Sequence, residues 1–312
     1  MIISVIVPTY RRPKSLARCL EALHKQTRSA DEILLIVRNN DSETLDFLRS
    51  IDSERLNIRI CTVTAPGQIA ALNVGLDAAR GEIIAFTDDD ATPYPDWLER
   101  IEEHFLADQQ IGGVGGRDIV QLDEERVKET KKVVGKVQWF GGYIGNHHLG
   151  FGGPREVDIL KGTNMSYRWK ALGGIRFDER LHGTGAQVHN DMAFSLTVKR
   201  AGWRLIYDPA VSVDHYPDPR FGRDQRTGFN NIAIKDRVHN ETFILLGYLS
   251  TAQRFTFILW AFFIGSRSSP GFVQLLRFFP KKGLLALRKW FATMCGRWEG
   301  RKTWLESSKA KK

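Results

Sequence analysis

Disulfides have almost nothing to form from in this chain. Among 312 residues there are three cysteines, and Cys19, Cys61 and Cys295 are far apart with no CxxC spacing. That excludes a disulfide framework and fits a reducing compartment. Long apolar runs are scarce as well. The strongest, Phe243–Gly265, is interrupted at Ser250–Arg254, and its pieces 243–249 and 255–265 each fall short of the ~20 residues a spanning helix needs. A helical hairpin in the membrane interface or a helix packed on the core is expected there, with a tilted span carrying one snorkelling Arg as the alternative. No basic leader precedes the apolar run Ile2–Val7, which stops at Pro8, so no signal peptide is expected. The sequons Asn164-Met165-Ser166 and Asn240-Glu241-Thr242 then read as chance matches. No internal repeat is visible.

What is present is globular in composition, with 42% apolar and 26% charged residues. The net charge of +9 is confined to one end: Arg277–Lys312 holds eleven Lys/Arg against two Asp/Glu, and the remaining residues carry 34 of each sign. The main body therefore has no general affinity for polyanions. A basic tail beside aromatic residues suits an anionic membrane surface, nucleic acid and plain solvation being the other readings of the same pattern. Leu284, Leu287, Phe291, Met294 and Trp298 form an apolar stripe from which Arg288, Lys289 and Lys302 lie off, the composition of a monotopic anchor.

Periodicity predicts strands at Ile2–Val7, Glu32–Val37, Ile58–Val63 and Ile83–Phe86. Helices are predicted around residues 14–25, near Leu45–Ile51, and from Ile69 to Ala79. This alternation implies right-handed βαβ units and an α/β fold with a mostly parallel sheet flanked by helices. Ligands of such sheets bind beyond the carboxyl ends of the strands, here Pro8–Arg12, Arg38–Asp41, Pro66–Gln68 and Asp88–Asp90. Residues 112–160 change texture, with a charged stretch at Asp123–Lys136 and a run rich in Gly, aromatics and His from Trp139 to Pro154. They read as a mobile loop region over the site. Compact patterning returns at 155–216, and an amphipathic helical region follows.

Asp88-Asp89-Asp90 closes the fourth strand. Three adjacent carboxylates repel one another unless a cation or partner neutralises them, and on extended backbone residues 88 and 90 point the same way. Two hard oxygen donors on one face suit Mg²⁺ or Mn²⁺. A solvated acidic turn before Pro93-Tyr94-Pro95 is the plain alternative.

The surrounding segments decide between these. SVIVPTYRR, GQIAALNVGL, GEIIAFTDDDATPYPDWL, GTNMSYRWKALGG, FDERL and NDMAFSLTVKRAGWRLIYDPAVSVDH follow one another over residues 1–216. The series resembles family 2 glycosyltransferases of the GT-A fold. The resemblance implies a nucleotide-sugar-binding half at 1–111 and an acceptor half at 112–220. From charge and apolar patterning, residues 221–312 are expected to form a basic helical region that associates with a membrane.

It also implies roles. Pro8, Thr9, Tyr10 and Arg12 would line the nucleotide pocket. Asp88 would touch the ribose, Asp89 and Asn73 would serve the donor, and Asp90 would bind Mn²⁺ or Mg²⁺, with His215 as a further ligand. Gly162, Asn164 and Asn190 would lie on the acceptor side, and Asp191 would be the general base of an inverting transfer. Local sequence alone explains Asp191 as a helix N-terminal acid and His215 as a buried, satisfied imidazole. Trp139, Phe140, His147 and His148 fit either an acceptor contact or core packing.

There are departures. Arg38 holds the position of the family's base-contacting Asp, unless Asp41 stands in. Leu72 replaces a common Arg or Lys, and Asn190 replaces an acid. No QxxRW signature is present, which favours addition of a single sugar. The expected function is metal-dependent transfer from a nucleotide-sugar to a glycan or lipid-linked acceptor, in surface polysaccharide or glycolipid synthesis, with a catalytically silent nucleotide-binding scaffold of the same fold and a sugar nucleotidyltransferase as the other readings. The expected place is the cytoplasm, peripheral at the inner face of the cell membrane, with no nucleic acid partner. Asp224-Gln225-Arg226 is a candidate acceptor contact.

Overall fold

A computed structural model describes residues 1–51, 57–121, 130–218 and 229–309. The chain forms two compact units. The first comprises Met1–Lys136, Ile144–Phe177 and Phe194–Asp218, and the second Val137–Tyr143, Asp178–Ala193 and Pro219–Lys312.

The first unit begins as its periodicity predicts. β1 (Ile3–Thr9), β2 (Glu32–Arg38), β3 (Ile58–Val63) and β4 (Ile83–Phe86) alternate with α1 (Pro13–His24), α2 (Ser42–Arg49) and α3 (Gln68–Ala78). Ile3, Val5 and Val7 are fully buried, each contributing about 1.5–3 kcal/mol by leaving water. Pro13 starts α1, where its fixed φ suits the first turn and its missing N–H is no loss. After β4 come β5 (Ala91–Pro93), α4 (Trp97–Ala107), β6 (Ile111–Val120), and the paired short strands β7 (Lys136–Val137) and β8 (Tyr143–Ile144). A single 3-10 turn follows at His147–Leu149. Then come β9 (Arg155–Val157), β10 (Met165–Arg168), α5 (Trp169–Leu172), α6 (Asn190–Arg200) and β11 (Arg204–His215).

The nine-stranded sheet has the order β3-β2-β1-β4-β10-β6-β11-β5, with β9 on β11. β1, β2, β3, β4, β6 and β11 run one way, and β5, β9 and β10 the other. The direction of strand addition reverses between β1 and β4, a topological switch point where ligands of open α/β sheets bind.

One expectation needs correcting. Residues 112–120, read as the start of a mobile loop region, belong to a central strand, Ile111–Val120, between β10 and β11. Its glycines serve close approach rather than mobility. A Cβ on Gly115 would lie 2.6 Å from the Asn164 carbonyl oxygen, and one on Gly116 would strike the Val211 carbonyl. Within the Gly- and aromatic-rich run, His147 is buried with its ring bonded to the Ile159 carbonyl at 2.8 Å, while Trp139 is 71% exposed. Residues 123–129 of the charged stretch lie outside the described residues.

The second unit is helical: α7 (Asn231–Tyr248), α8 (Thr251–Phe263), α9 (Phe272–Lys282) and α10 (Leu284–Lys309). The predicted break in the apolar run is real. α7 ends at Tyr248, and Ser250 opens α8 with a capping box to Gln253. α7 and α10 pack closely because α10 offers glycines: a Cβ on Gly296 would sit 2.6 Å from the Lys235 carbonyl. Beside that seam Arg297 Nη2 pairs with buried Glu241 at 3.1 Å. Asn240 is fully buried and its amide binds the His182 and Val188 carbonyls, while Asn164 is equally buried, so neither sequon is presented to solvent. No helix among the described residues is long and apolar enough to cross a membrane. α8, α9 and α10 nevertheless expose Phe255, Phe262, Phe272, Leu276, Leu284 and Phe291.

Candidate active site

The switch point brings together side chains from five places in the sequence. Thr9 ends β1 and Arg12 caps α1. Asp88–Asp90 follow β4, Thr163 precedes β10, and His215 ends β11. Arg12 Nη1 donates to Asp89 Oδ1 at 2.9 Å and lies 3.4 Å from Asp90 Oδ2. Thr9 Oγ1 donates to Asp89 Oδ2 at 2.8 Å. Gln68 Nε2 and Thr163 Oγ1 donate to the two oxygens of Asp88 at 3.1 and 2.8 Å. His215 Nε2 stands 3.4 Å from Asp90 Oδ1, and the Asp218 backbone N–H donates to Asp90 Oδ2 at 3.1 Å.

The three carboxylates are therefore not equivalent. Asp89 is held inward by Thr9 and Arg12, though burial still pushes its carboxyl up to about 7. Asp88 is raised by burial and by the charge of Asp90. Burial also acts against the charge of Asp90, but the His215 hydrogen bond, the Asp218 amide and Arg12 hold it below the usual carboxylate range.

Ligand atoms of Asp88, Asp90 and His215 all lie within 4.8 Å of one another. This donor set fits a divalent cation: two hard carboxylates and one imidazole converge, and binding would relieve the repulsion between the acids. Two buried atoms without a hydrogen-bond partner support the fit. His215 Nδ1 and Asp118 Oδ1 are both orphaned, and His215 Nδ1 is 4.0 Å from Asp118 Oδ2. Small movement would let Asp118 accept the Nδ1 proton, fixing the tautomer that leaves Nε2 free as a ligand.

Beside this cluster lies the first βα turn. The Arg38 and Arg11 guanidinium carbons are each 5.1 Å from the Tyr10 ring centroid. Arg11 adopts a left-handed φ of 55°, and its amide donates to Asp41 at 2.6 Å. Asp41 also caps α2 through Thr44. Pro8 lies in β1 one residue before Thr9. Asn73 sits apart from these contacts, its amide bonded both ways to the Phe177 backbone at 3.0 and 2.9 Å.

On the other predicted side, Gly162 stands immediately before Thr163, the Asp88 partner. Asn164 is a core residue whose amide joins Trp97, Arg117 and Val211. Asn190 donates to the Ala186 carbonyl at 2.8 Å, and Asp191 accepts from the Met192 amide at 2.8 Å in the first turn of α6; both belong to the second unit. Asp224-Gln225-Arg226 lies outside the described residues.

Sequence reading did not assign Gln68, Thr163 or Asp118. The first two stand inside the quoted GQIAALN and GTNMSY segments, so position was a usable signal. Asp118 gave none, because its strand was not recognised.

The sheet order and the acidic cluster at its switch point define a GT-A-type α/β fold. The chain belongs to Glycosyl transferase family 2, whose pattern matches residues 4–176. Among relatives, it is 33% identical over 101 residues to glycosyltransferase AglE of Haloferax volcanii, covering 31% of this chain and 33% of that protein. It is 27% identical over 228 residues to the glucosyl-dolichyl phosphate glucuronosyltransferase of the same organism, 69% of each chain. The chain thus spans a third of the first relative and about two thirds of the second. Solved structures of the same fold include S. aureus TarS 1-349 in complex with UDP-GlcNAc. It has TM-score 0.62 and 17% identity, over 94% of this chain and 79% of that one. Mannosyltransferase PcManGT from Pyrobaculum calidifontis, in complex with GDP-Man and Mn²⁺, has TM-score 0.57 and 19% identity, over 97% of this chain and 86% of that one.

Proposed function

We propose that this chain is a metal-dependent, inverting glycosyltransferase that moves one sugar from a nucleotide-sugar to a hydroxyl of a lipid-linked glycan. The reading puts it at the cytoplasmic face of a membrane, in surface polysaccharide or glycolipid synthesis. The observation that carries it is the convergence of Asp88, Asp90 and His215 within 4.8 Å at the switch point of the sheet. A relative whose name specifies a dolichyl-phosphate sugar, and a fold neighbour holding GDP-Man with Mn²⁺, support it.

Bound Mn²⁺ or Mg²⁺ would supply Lewis-acid neutralisation of the donor's diphosphate. Asp90 and His215 would hold it, with Asp88 on the donor side. Arg12 and Thr9 fix Asp89, which keeps the strand-end turn rigid so that its neighbours stay aimed. Tyr10, with Arg38 and Arg11 against it, offers a flat face for a nucleobase, so Arg38 takes over base contact from the family's acid. Gln68 and Thr163 orient Asp88. Asp191, assigned by the resemblance, would take the proton of the acceptor hydroxyl. The new C–O bond forms as the anomeric C–O bond to the diphosphate breaks. The nucleoside diphosphate leaves with the electron pair, and one attack from the opposite face inverts the configuration.

A panel of UDP-, GDP- and dTDP-sugars, with Mn²⁺, Mg²⁺ or EDTA, tests this. Release of nucleoside diphosphate that stops in EDTA is the expected result, with opposite anomeric configurations in donor and product. Full turnover by Asp191→Asn would remove that residue from the mechanism. Turnover undiminished in EDTA would remove the metal.

A further inference from the structure

Within the second unit α7, α9 and α10 enclose a cleft of about 640 Å³, the size of a small-ligand pocket. Its charge is of one sign. Arg237 from α7, Arg267 from the 264–271 turn, Lys282 from α9 and Lys289 from α10 all line it, and no Asp or Glu is among the lining residues. None of the four makes an ion pair with a carboxylate among the described residues. Glu241, one turn beyond Arg237, is already engaged by Arg297 and Ser269. Burial, with the charges of Arg237 and Lys282, holds the Lys289 ammonium below its ordinary value.

Such crowding is unfavourable for a folded protein unless an anion offsets it. The lining also holds a polar atom with nothing to bond: Gln274 Oε1 is buried without a partner. A half-turn of that amide exchanges the oxygen for an NH₂ donor. Between the cations the walls are apolar, with Ile234, Leu275 and Phe278. The same α9 that supplies Gln274 and Phe278 exposes Phe272, Leu276 and Phe279 on its adjoining face. Cations and apolar surface in this arrangement match an amphiphile rather than a free sugar or nucleotide.

The charge count narrows the class. A phosphodiester headgroup carries one negative charge, whereas a terminal phosphate carries about −1.5 to −2 near neutral pH and a diphosphate more. We propose that this cleft binds the terminal phosphate or diphosphate of a single lipid molecule, with the lipid chain along the exposed apolar face of α9. The proposal rests on the reading above in one respect: the unglycosylated polyprenyl phosphate carrier, on which a lipid-linked acceptor is built, is the natural source of such a group, since the glycan-bearing acceptor itself holds a diester.

The test is vesicle flotation of the full chain with three lipid compositions. These are neutral phosphatidylcholine, the same with polyprenyl monophosphate, and the same with phosphatidylglycerol at matched surface charge. Wild type is expected to bind the polyprenyl phosphate vesicles about tenfold tighter than the charge-matched ones, since several charge-assisted contacts distinguish them. Arg237→Gln/Lys289→Gln is expected to bring that ratio to one while leaving binding to phosphatidylglycerol unchanged. Arg267→Gln and Lys282→Gln, each checked for an unchanged melting temperature, decide the matter if the double variant does not fold.

A wild-type ratio of one means diffuse attraction and overturns the proposal. A ratio that survives all the substitutions does the same, as does equal affinity for inorganic pyrophosphate or for a single-stranded oligonucleotide. Donor turnover is measured on the same preparations. A ratio of one with donor turnover intact sinks this inference alone. Selective lipid binding without turnover of any donor sinks the enzymatic reading alone.

Discussion

Two sites of buried charge, one in each unit, are handled in opposite ways. In the first, three consecutive acids converge at one strand end, where Arg12 pairs with Asp89 and Asp90, and no guanidinium among the described residues is ion-paired with Asp88. In the second, buried Glu241 is matched by Arg297 and a serine hydroxyl, and the helices close over a balanced pair. A balanced pair is structural. Its members saturate one another, and removing either leaves a charge stranded in low dielectric. On the proposed reading the unbalanced cluster is a binding site for the opposite charge, tolerated because a ligand belongs to the working state. The comparison therefore predicts different outcomes for the same chemical change, acid to amide, in the two places.

The largest effect is expected at the acidic cluster. Asp88→Asn removes one charge without changing shape, and the amide retains hydrogen bonds with Gln68 and Thr163. Sugar transfer should fall about a thousandfold, a loss near 4 kcal/mol of transition-state stabilisation. Measured in EDTA, the melting temperature should be no lower than that of wild type, because repulsion with Asp90 is relieved. A variant that melts well below wild type would show the acids to be structural, and the contrast between the units would collapse.

The same substitution in the second unit, Glu241→Gln, should do the reverse. It leaves Arg297 buried opposite a neutral group, and unfolding free energy should drop by about 3–5 kcal/mol. Chemical denaturation reads this directly. There is also a pH signature. Arg297 holds the Glu241 carboxyl below its ordinary 4.5 despite burial. Its contribution is thus fully present above that value and is lost as pH falls through the lower, folded-state value. The gap between wild type and variant should stay constant from neutral pH down to about 5 and close in stronger acid. A gap that persists undiminished at low pH would mean that packing, not the ion pair, is responsible.

Much of this was written in local sequence. β1 to β4 and the helices between them follow the apolar period, because β1, β2 and β4 are buried on both faces and each helix on one, while β3 lies half-exposed at the sheet edge. Asp88–Asp90 stood out because three adjacent acids repel one another, and the surrounding family-like segments favoured a ligand site over a solvated turn. The helix break was visible because the polar stretch Ser250–Arg254 interrupts the apolar run, and the structure adds the capping box between Ser250 and Gln253. What stayed hidden depends on long-range packing. Gly112, Gly113, Gly115 and Gly116 look like a loop in sequence, but their reason for being glycine lies in Trp203, Tyr167, Asn164 and Val211, which fold against them from distant segments. Missing that strand hid Asp118, the candidate support for His215. The cationic cleft was hidden for the same reason: Arg237, Arg267, Lys282 and Lys289 are spread over 53 positions. Gly115→Ala tests the packing explanation. Its added carbon would press on the Asn164 carbonyl in the middle of the sheet, and overpacking of that kind costs about 1–3 kcal/mol. Neutral behaviour would return β6 to the flexible reading.

The smallest expected effect concerns where α7 stops. Ser250 Oγ accepts from the Gln253 amide, and Gln253 Oε1 accepts from the Ser250 amide, so two backbone donors that an unbroken helix would satisfy internally are satisfied by side chains. If the break is encoded here, Ser250→Ala should destabilise the second unit by about 1 kcal/mol, the usual weight of an N-cap. Adding Gln253→Ala should then have little further effect, because the reciprocal box is already broken. Under the alternative, with 243–265 as one continuous helix interrupted only by crowding, the same alanines would lengthen the helix. Helical circular dichroism would then rise and stability would increase. Denaturation of both variants in detergent-free buffer separates the two, since the sign of the change differs and not merely its size.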